Sequence, residues 1–324
     1  MKTLLFLFAL SSFISAKEVA YRPASSDTKV ATHLTSFSYG GREIPLKIYF
    51  PSSKKPAPVI LLSHGLGGSR ETGVYLGKQW ANAGYVVVAM QHVGSDESIW
   101  KDTPTLLRKL ALKKAASLKT YLARAKDVPA TLDRLEKWNK QSGHLLERRL
   151  NMKRIGLAGH SYGALTTQAL AGQSFGHLGS HYVDKRIDAA FAMSPSIPMK
   201  GDADTAFASI SIPMLLMTGT NDQNFISKAS PESRQGVFTA LKPLNKKSQT
   251  RHYQLVLKNG EHSAFSDRSL PGEGKRNPNH HHAIQIISTA FWDSVLQEKP
   301  SASLWLNGKK PTSHLEKGDI WLKK

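Results

Sequence analysis

The sequence contains no cysteine among its 324 residues. Disulfides, thiolate metal sites and every mechanism with a cysteine nucleophile are thereby excluded. Acidic residues are scarce beside basic ones: 24 Asp plus Glu against 44 Lys plus Arg, a formal net charge of +20. That balance predicts attraction to anionic surfaces and is silent on fold. Long hydrophobic runs are also lacking. The apolar run from Thr3 to Phe13 falls well short of the roughly 20 residues that a membrane-spanning helix needs. Hydrophobic residues make up 40% of the chain and charged residues 21%, which excludes a disordered polyelectrolyte. The length permits a large core and fits one α/β domain with an insertion as well as two domains.

At the N-terminus, Met1-Lys2 gives a positive start, the apolar run follows, and Ser15-Ala16 supplies small residues before Lys17-Glu18. This is the pattern of a secretory signal peptide over residues 1–16, cleaved after Ala16. The expectation is an exported protein, periplasmic or secreted, and soluble once mature. Residues 17–35 read as a polar arm and 36–324 as a single domain.

From Ser36 the pattern is that of strands, with Ile44 to Phe50 β-prone and ending at Pro51. Val59 to Leu62 and Tyr85 to Met90 are continuous apolar runs, as expected of strands buried on both faces. A helix fits Gly73 to Ala83 between them. The composition then shifts. Residues 101–154 hold 15 Lys or Arg against 5 Asp or Glu, a net of +10. Leu106, Leu110, Leu118 and Leu122 have spacings a helix can place near one side, as do Leu132, Leu135 and Trp138. Val128-Pro129 reads as a helix start, since proline is tolerated in a first turn and restrains its predecessor. A helical insertion at about 97–150 follows. Alternation resumes with strands at Arg154 to Ala158, Ala189 to Met193, Pro213 to Met217 and Tyr253 to Leu257, and a terminal helix at Ala283 to Leu296. Strands alternating with helices imply an α/β fold whose mostly parallel central sheet is flanked by helices.

Gly159-His160-Ser161-Tyr162-Gly163 matches G-x-S-x-G between a buried strand and an Ala-rich helix. That context is what a nucleophile elbow requires. A serine hydroxyl needs a base to take its proton. On such an elbow the partners follow in the order Ser, acid, His, at the C-terminal ends of later strands. Asp222 follows Met214 to Met217 through Thr218-Gly219-Thr220-Asn221. His262 follows Tyr253 to Leu257 through Lys258-Asn259-Gly260-Glu261. The competitors fail on position. Asp188 and His252 precede strands, Asp202 and Asp204 have no strand directly before them, and Asp267 falls after His262. His177 and His181 lie in a loop. Acyl transfer also needs two donors for the developing oxyanion. One is the N–H of Tyr162. The other belongs to the loop Ser63-His64-Gly65-Leu66-Gly67-Gly68, with Leu66 first choice and Gly67 second. No phosphate-cradling glycine spacing is present there.

With these residues in view, the chain resembles the α/β-hydrolase superfamily, and within it the platelet-activating-factor acetylhydrolase-like proteins, often labelled predicted dienelactone hydrolases. The resemblance is carried by Ser63 to Glu71, Gln91-His92-Val93-Gly94-Ser95-Asp96, Gly159 to Ala164, Met217 to Asp222 and Glu261 to Asp267. It implies the same nucleophile, acid and base: Ser161, Asp222 and His262. Dienelactone hydrolases proper use a cysteine nucleophile, so a serine esterase is favoured over lactone chemistry here. The expected activity is hydrolysis of a small or lipid-like carboxylic ester through an acyl-enzyme, with no cofactor. The alternatives are a serine peptidase or amidase on the same fold, and a non-catalytic binding protein for an anionic polymer.

Two further features fall outside that scheme. His280-His281-His282 could suggest a metal, but adjacent histidines on a helix diverge and no metal site is expected. The basic segment 101–154 reads either as a solvated helix face or as a surface drawn to an anionic membrane, and nucleic acid is not expected. Its leucines would flank the pocket, with Trp100 and Trp138 as acyl-group contacts.

Overall fold

The computed structural model describes residues 21–24, 29–223, 226, 229–244, 251–268 and 273–324. The expected signal peptide lies outside them. The first strands are β1 (Ala31–Tyr39) and β2 (Arg42–Phe50), joined by a tight Gly40-Gly41 turn with both glycines at positive φ. The strand pattern thus starts at Ala31, four residues before the expected end of the N-terminal arm. Most of β1 is exposed and polar at its start, so no apolar alternation marks it.

The chain continues through β3 (Ala57–Ser63), α1 (Val74–Asn82) and β4 (Val86–Met90). The basic insertion forms α2 (Ser98–Lys101), α3 (Thr105–Ala115) and α4 (Leu118–Lys140). Then come β5 (Leu150–His160), α5 (Tyr162–Ala171), β6 (Ala189–Met193), α6 (Ala203–Phe207), β7 (Met214–Asn221), α7 (Pro231–Ala240), β8 (Tyr253–Glu261), α8 (Pro278–Val295), α9 (Pro300–Asn307) and β9 (Ile320–Lys323). The sheet order is β1-β2-β4-β3-β5-β6-β7-β8-β9. The five pairings from β4 to β8 are parallel, and antiparallel pairs close both edges. This is the expected mixed α/β architecture of an α/β-hydrolase.

Composition explains the layering. Every residue of β4 and of β6 is buried, as continuous apolar strands require when both faces are covered. On one face, Leu76 and Trp80 of α1, Phe291 and Trp292 of α8 and Trp305 of α9 pack on Phe191 and Met217. On the other, α4 and α5 bring Val128, Leu132, Leu135 and Leu170 onto Leu61 and Leu157. Farther along that face, α6 and α7 bring Phe207, Val237 and Phe238 onto Met214 and Leu216.

Three local expectations are corrected. Pro129 does not start a helix; it lies inside α4. Val128, Leu132 and Leu135 are all fully buried, and that burial outweighs the hydrogen bond a mid-helix proline removes. The true start is Ser117, whose side chain and that of Thr120 form a reciprocal capping box. The leucines at 106, 110, 118 and 122 do not form one stripe, because the break at Ser117 puts them on two helices. Finally, the helix at Ala283 to Leu296 is not terminal. The chain continues through α9 to β9, which pairs with β8. A four-residue strand rimmed by lysines carries too short a pattern to be read from sequence.

Parallel pairing also aligns strand ends. Ser63 stands opposite Gly159, and His160 opposite Met193. The loops leaving β3, β5, β7 and β8 therefore open on one rim of the sheet.

Candidate active site

The strand β5 turns into α5 at Ser161, which has φ 55° and ψ −112°. A non-glycine residue in that region is strained by about 1–3 kcal/mol and must be held by its surroundings. The flanking glycines show what holds it. A Cβ on Gly163 would lie 2.0 Å from the Ser63 carbonyl oxygen, and one on Gly159 would lie 2.2 Å from that of Gly163. No side chain fits at either position. The turn leaves the Ser161 hydroxyl half-exposed, with no capping bond to its own helix.

Asp222 follows β7 by one residue and His262 follows β8 by one residue. Ser161 Oγ lies 2.9 Å from His262 Nε2, and His262 Nδ1 lies 2.6 Å from Asp222 Oδ1. The structure thus brings the three expected residues into one hydrogen-bonded line. With the carboxylate on Nδ1, the imidazole proton belongs there and Nε2 turns its lone pair to the serine.

The acid is anchored by groups the sequence did not reveal. Thr218 Oγ1 donates to Asp222 Oδ2 at 2.8 Å. The buried Arg234 donates from Nε to the Asp222 carbonyl at 2.8 Å and stands 3.2 Å from Oδ1. Its Nη1 reaches the carbonyls of Ser194 and Pro195. Burial alone would raise the Asp222 carboxyl, but the hydrogen bond and charge of His262 and the charge of Arg234 bring it down to about 2. It is a carboxylate throughout the neutral range. His160, inside the elbow motif, donates from Nε2 to the His262 carbonyl at 3.0 Å. Burial, then the neighbouring His262, pushes His160 down to about 3, so it stays neutral.

The loop after β3 lies against the elbow: a Cβ on Gly65 would be 3.5 Å from Ser161 Cβ. Within it the N–H of Gly67 bonds to Ser95 O at 2.9 Å, and that of Gly68 to Gly65 O at 3.1 Å. The Leu66 N–H donates to no acceptor among the described residues. Of the two donors considered, Leu66 is the free one and Gly67 is committed elsewhere. The Tyr162 N–H sits at the first position of α5, where helices leave donors without intrahelical partners.

A second Ser–His–Asp line lies deeper. Ser63 Oγ is 2.9 Å from His92 Nε2, and His92 Nδ1 is 2.9 Å from Asp127 Oδ2. Ser63 is fully buried, so no substrate reaches it. Four of the rejected competitors have structural duties. Asp188 accepts from the Ile155 N–H at the opposite end of the sheet, Asp202 caps α6, and Asp267 accepts from Val74 N–H at the start of α1. His252 accepts from the Met214 N–H.

Other expected contacts divide. Trp100 lies on the rim, its indole N–H donating to Gly67 O at 2.7 Å. Trp138 does not: it packs on Phe37 and His144 in the core under the sheet's other edge. The histidine run diverges as expected. His280 faces Glu316, His281 stacks on Tyr75, and His282 faces His314. Leu106, Leu110 and Leu118 are 95%, 65% and 71% exposed.

The buried histidines make a pH prediction. Burial first of all drives His92 and His252 down to about 4, His160 to about 3 and His64 well below its usual value. In the unfolded chain each titrates near 6.5. Below that pH the unfolded state binds more protons, so stability rises with pH in this range. The stabilisation is complete above about 6.5 and is lost as pH falls toward 4, at up to ~1.4 kcal/mol per pH unit per histidine. Unfolding at pH 5.5 should take up roughly three and a half protons, and Tm should fall steadily from pH 6.5 to 4.5. A flat Tm over that window would contradict the neutral, buried state of these rings.

A search of curated proteins returned no match. A family comparison matched residues 24–128, from before β1 to the middle of α4, and the match ends before Ser161, Asp222 and His262. The matched family is described as platelet-activating factor acetylhydrolase, isoform II, a member of the α/β-hydrolase superfamily, and the nine-strand, mostly parallel sheet flanked by helices is consistent with that fold.

Proposed function

We propose that the chain is an exported serine hydrolase that cleaves carboxylic esters, small or lipid-like, through an acyl-enzyme. The observation that carries this reading is the line Ser161–His262–Asp222, joined at 2.9 and 2.6 Å with the serine half-exposed. The matched family, an acetylhydrolase by its description, supports ester bonds as the substrate class.

In this reading Ser161 Oγ attacks the ester carbonyl while His262 Nε2 takes its proton. Asp222 stays ionised and stabilises the imidazolium. The carbonyl oxygen becomes an oxyanion, received by the N–H groups of Leu66 and Tyr162. Collapse expels the alkoxide, which takes the proton from His262. Water then attacks the acyl-enzyme with the same base, releasing the acid and restoring the serine. The same line of residues would serve an amidase, and matched p-nitrophenyl ester and p-nitroanilide substrates separate the two.

Residues 1–16 support export, and N-terminal sequencing of the mature protein should begin at Lys17. In that mature protein, Ser161→Ala and His262→Ala should each abolish ester turnover almost equally, because the members act as a unit. Asp222→Asn should cost on the order of 10⁴ in kcat through the wrong imidazole tautomer. Steady-state kinetics on a short p-nitrophenyl ester, with circular dichroism to verify folding, checks all three. A folded Ser161→Ala protein with near wild-type turnover contradicts the reading, and so does a wild-type protein with no esterase activity.

A second observation bears on the substrate's setting. No residue of α3 is buried, yet the helix exposes Leu106, Leu107 and Leu110 beside Lys113 and Lys114. Its Leu112 packs against Gly67 of the candidate oxyanion loop. We infer that this helix rests on an anionic lipid interface, with leucines in the acyl boundary and lysines on head groups. Binding to anionic vesicles should exceed binding to zwitterionic ones and weaken steeply with salt, since exposed charges act over about 10 Å at 0.1 M. Leu106→Ser with Leu110→Ser should weaken vesicle binding and spare turnover of a soluble ester. Equal binding to both vesicle types at low salt would remove the lipid reading.

A further inference from the structure

Arg124 of α4 is fully buried, and no acidic side chain bonds to it among the described residues. Its guanidinium is spent on the candidate oxyanion loop. Nη1 donates to His64 O at 2.6 Å, and Nη2 reaches Gly65 O at 3.4 Å. Nε donates to Ser95 Oγ at 2.8 Å, and Nη2 to Ser95 O at 3.3 Å. Ser95 O is the same carbonyl that accepts from the Gly67 N–H. The guanidinium carbon also lies over the Tyr162 ring, 4.6 Å from its centre. One cation therefore touches both segments that would supply oxyanion donors.

The peptide between Gly65 and Leu66 shows what these contacts do. A trans peptide is planar, so its C=O and N–H point in opposite directions. The Gly65 carbonyl is held by three donors on one side: His64 Nδ1 at 2.6 Å, the Gly68 N–H at 3.1 Å and Arg124 Nη2. Its direction fixes that of the free Leu66 N–H on the other side. The His64 ring is itself fixed, because its Nε2 accepts from the His92 N–H at 3.0 Å, leaving Nδ1 as the donor. Tyr162 is held comparably, its hydroxyl donating to Ser117 O at 2.9 Å.

We propose that Arg124 is a positioning residue for the oxyanion hole, orienting the Leu66 N–H through the His64 and Gly65 carbonyls and bracing Tyr162 through its ring. The inference rests on the serine-hydrolase reading above. Arg124 has no solvent-exposed surface, so it acts through the backbone and not on the substrate. Burial lowers its pKa to about 9, which leaves it charged in the neutral range. That fixed charge, set behind the donor peptides in a site of low polarisability, polarises the carbonyls and strengthens the donors opposite them. A lysine would keep the charge but not the planar fork that spans two carbonyls and a ring face.

The test uses the full mature protein and the variants Arg124→Lys, Arg124→Met and Ser95→Ala. The last removes the acceptor of Nε while keeping the arginine, and so reports even where the other two fold poorly. Concentrations are normalised by stoichiometric labelling with a fluorophosphonate, and kinetics are run on a short p-nitrophenyl ester. Two ketones of the same chain length serve as probes: a trifluoromethyl ketone, which forms a hemiketal oxyanion on the serine, and the methyl ketone, which does not. Arg124→Lys should lower kcat by about 10²-fold, the scale of one lost oxyanion donor, with KM within about twofold. Ki for the trifluoromethyl ketone should rise by a similar factor and Ki for the methyl ketone should not change. Ser95→Ala should show the same pattern at smaller size. Losses shared equally by both ketones, or folded variants with wild-type kcat, overturn the proposal. A wild-type protein that neither labels nor turns over ester instead fails the underlying reading, so the two failures are distinguishable.

Discussion

The close approach of two backbones at the end of β5 governs the rest of the candidate site. Gly163 lies so near the Ser63 carbonyl that even a methyl group is excluded, and Gly159 lies equally near Gly163. That contact draws α5 onto the end of β3 and forces Ser161 to positive φ. The hydroxyl is thereby lifted off the sheet instead of capping its helix. Parallel pairing does the remainder, since it delivers the loops bearing Asp222 and His262 to the same rim. A strained residue persists only where neighbouring structure over-determines it, and here two strands and a helix do so.

Two buried arginines extend the same logic outward. Arg234 ties the loop of Asp222 to the carbonyls after β6, and Arg124 ties the loop after β3 to α4. Each satisfies backbone carbonyls that would otherwise be buried without donors, which is costly in a medium of low dielectric. A guanidinium suits this work because its fixed fork reaches several acceptors at once. The acidic member of the candidate triad gains a cation beside it, and the candidate oxyanion donors gain one behind them.

The parts legible in the sequence were those governed by local chemistry. Continuous apolar runs marked β3, β4 and β6, because strands covered on both faces leave no polar alternation. The elbow was legible because sterics permit only glycine at two positions. Asp222 and His262 were legible because chain order and strand ends narrow the choice. What could not be read depends on distant packing. Arg124 and Arg234 look like any surface arginine, since burial of a charge is decided by acceptors far away in sequence. Pro129 carries a helix-start signal that the burial of its neighbours overrides. Trp138 has the helical spacing of a pocket residue, but which end of α4 faces the rim is a property of the whole insertion. The exposure of Leu106 and Leu110 was likewise hidden, because apolar spacing alone cannot say what a helix faces.

The central claim is that Ser161, and not the similarly connected Ser63, is the reacting nucleophile. Labelling the native protein with a fluorophosphonate and locating the adduct by peptide mass spectrometry tests it directly. The account predicts one adduct per chain, on Ser161, with ester hydrolysis lost in proportion to labelling. An adduct on another serine, or full hydrolysis by protein fully labelled at Ser161, would contradict it.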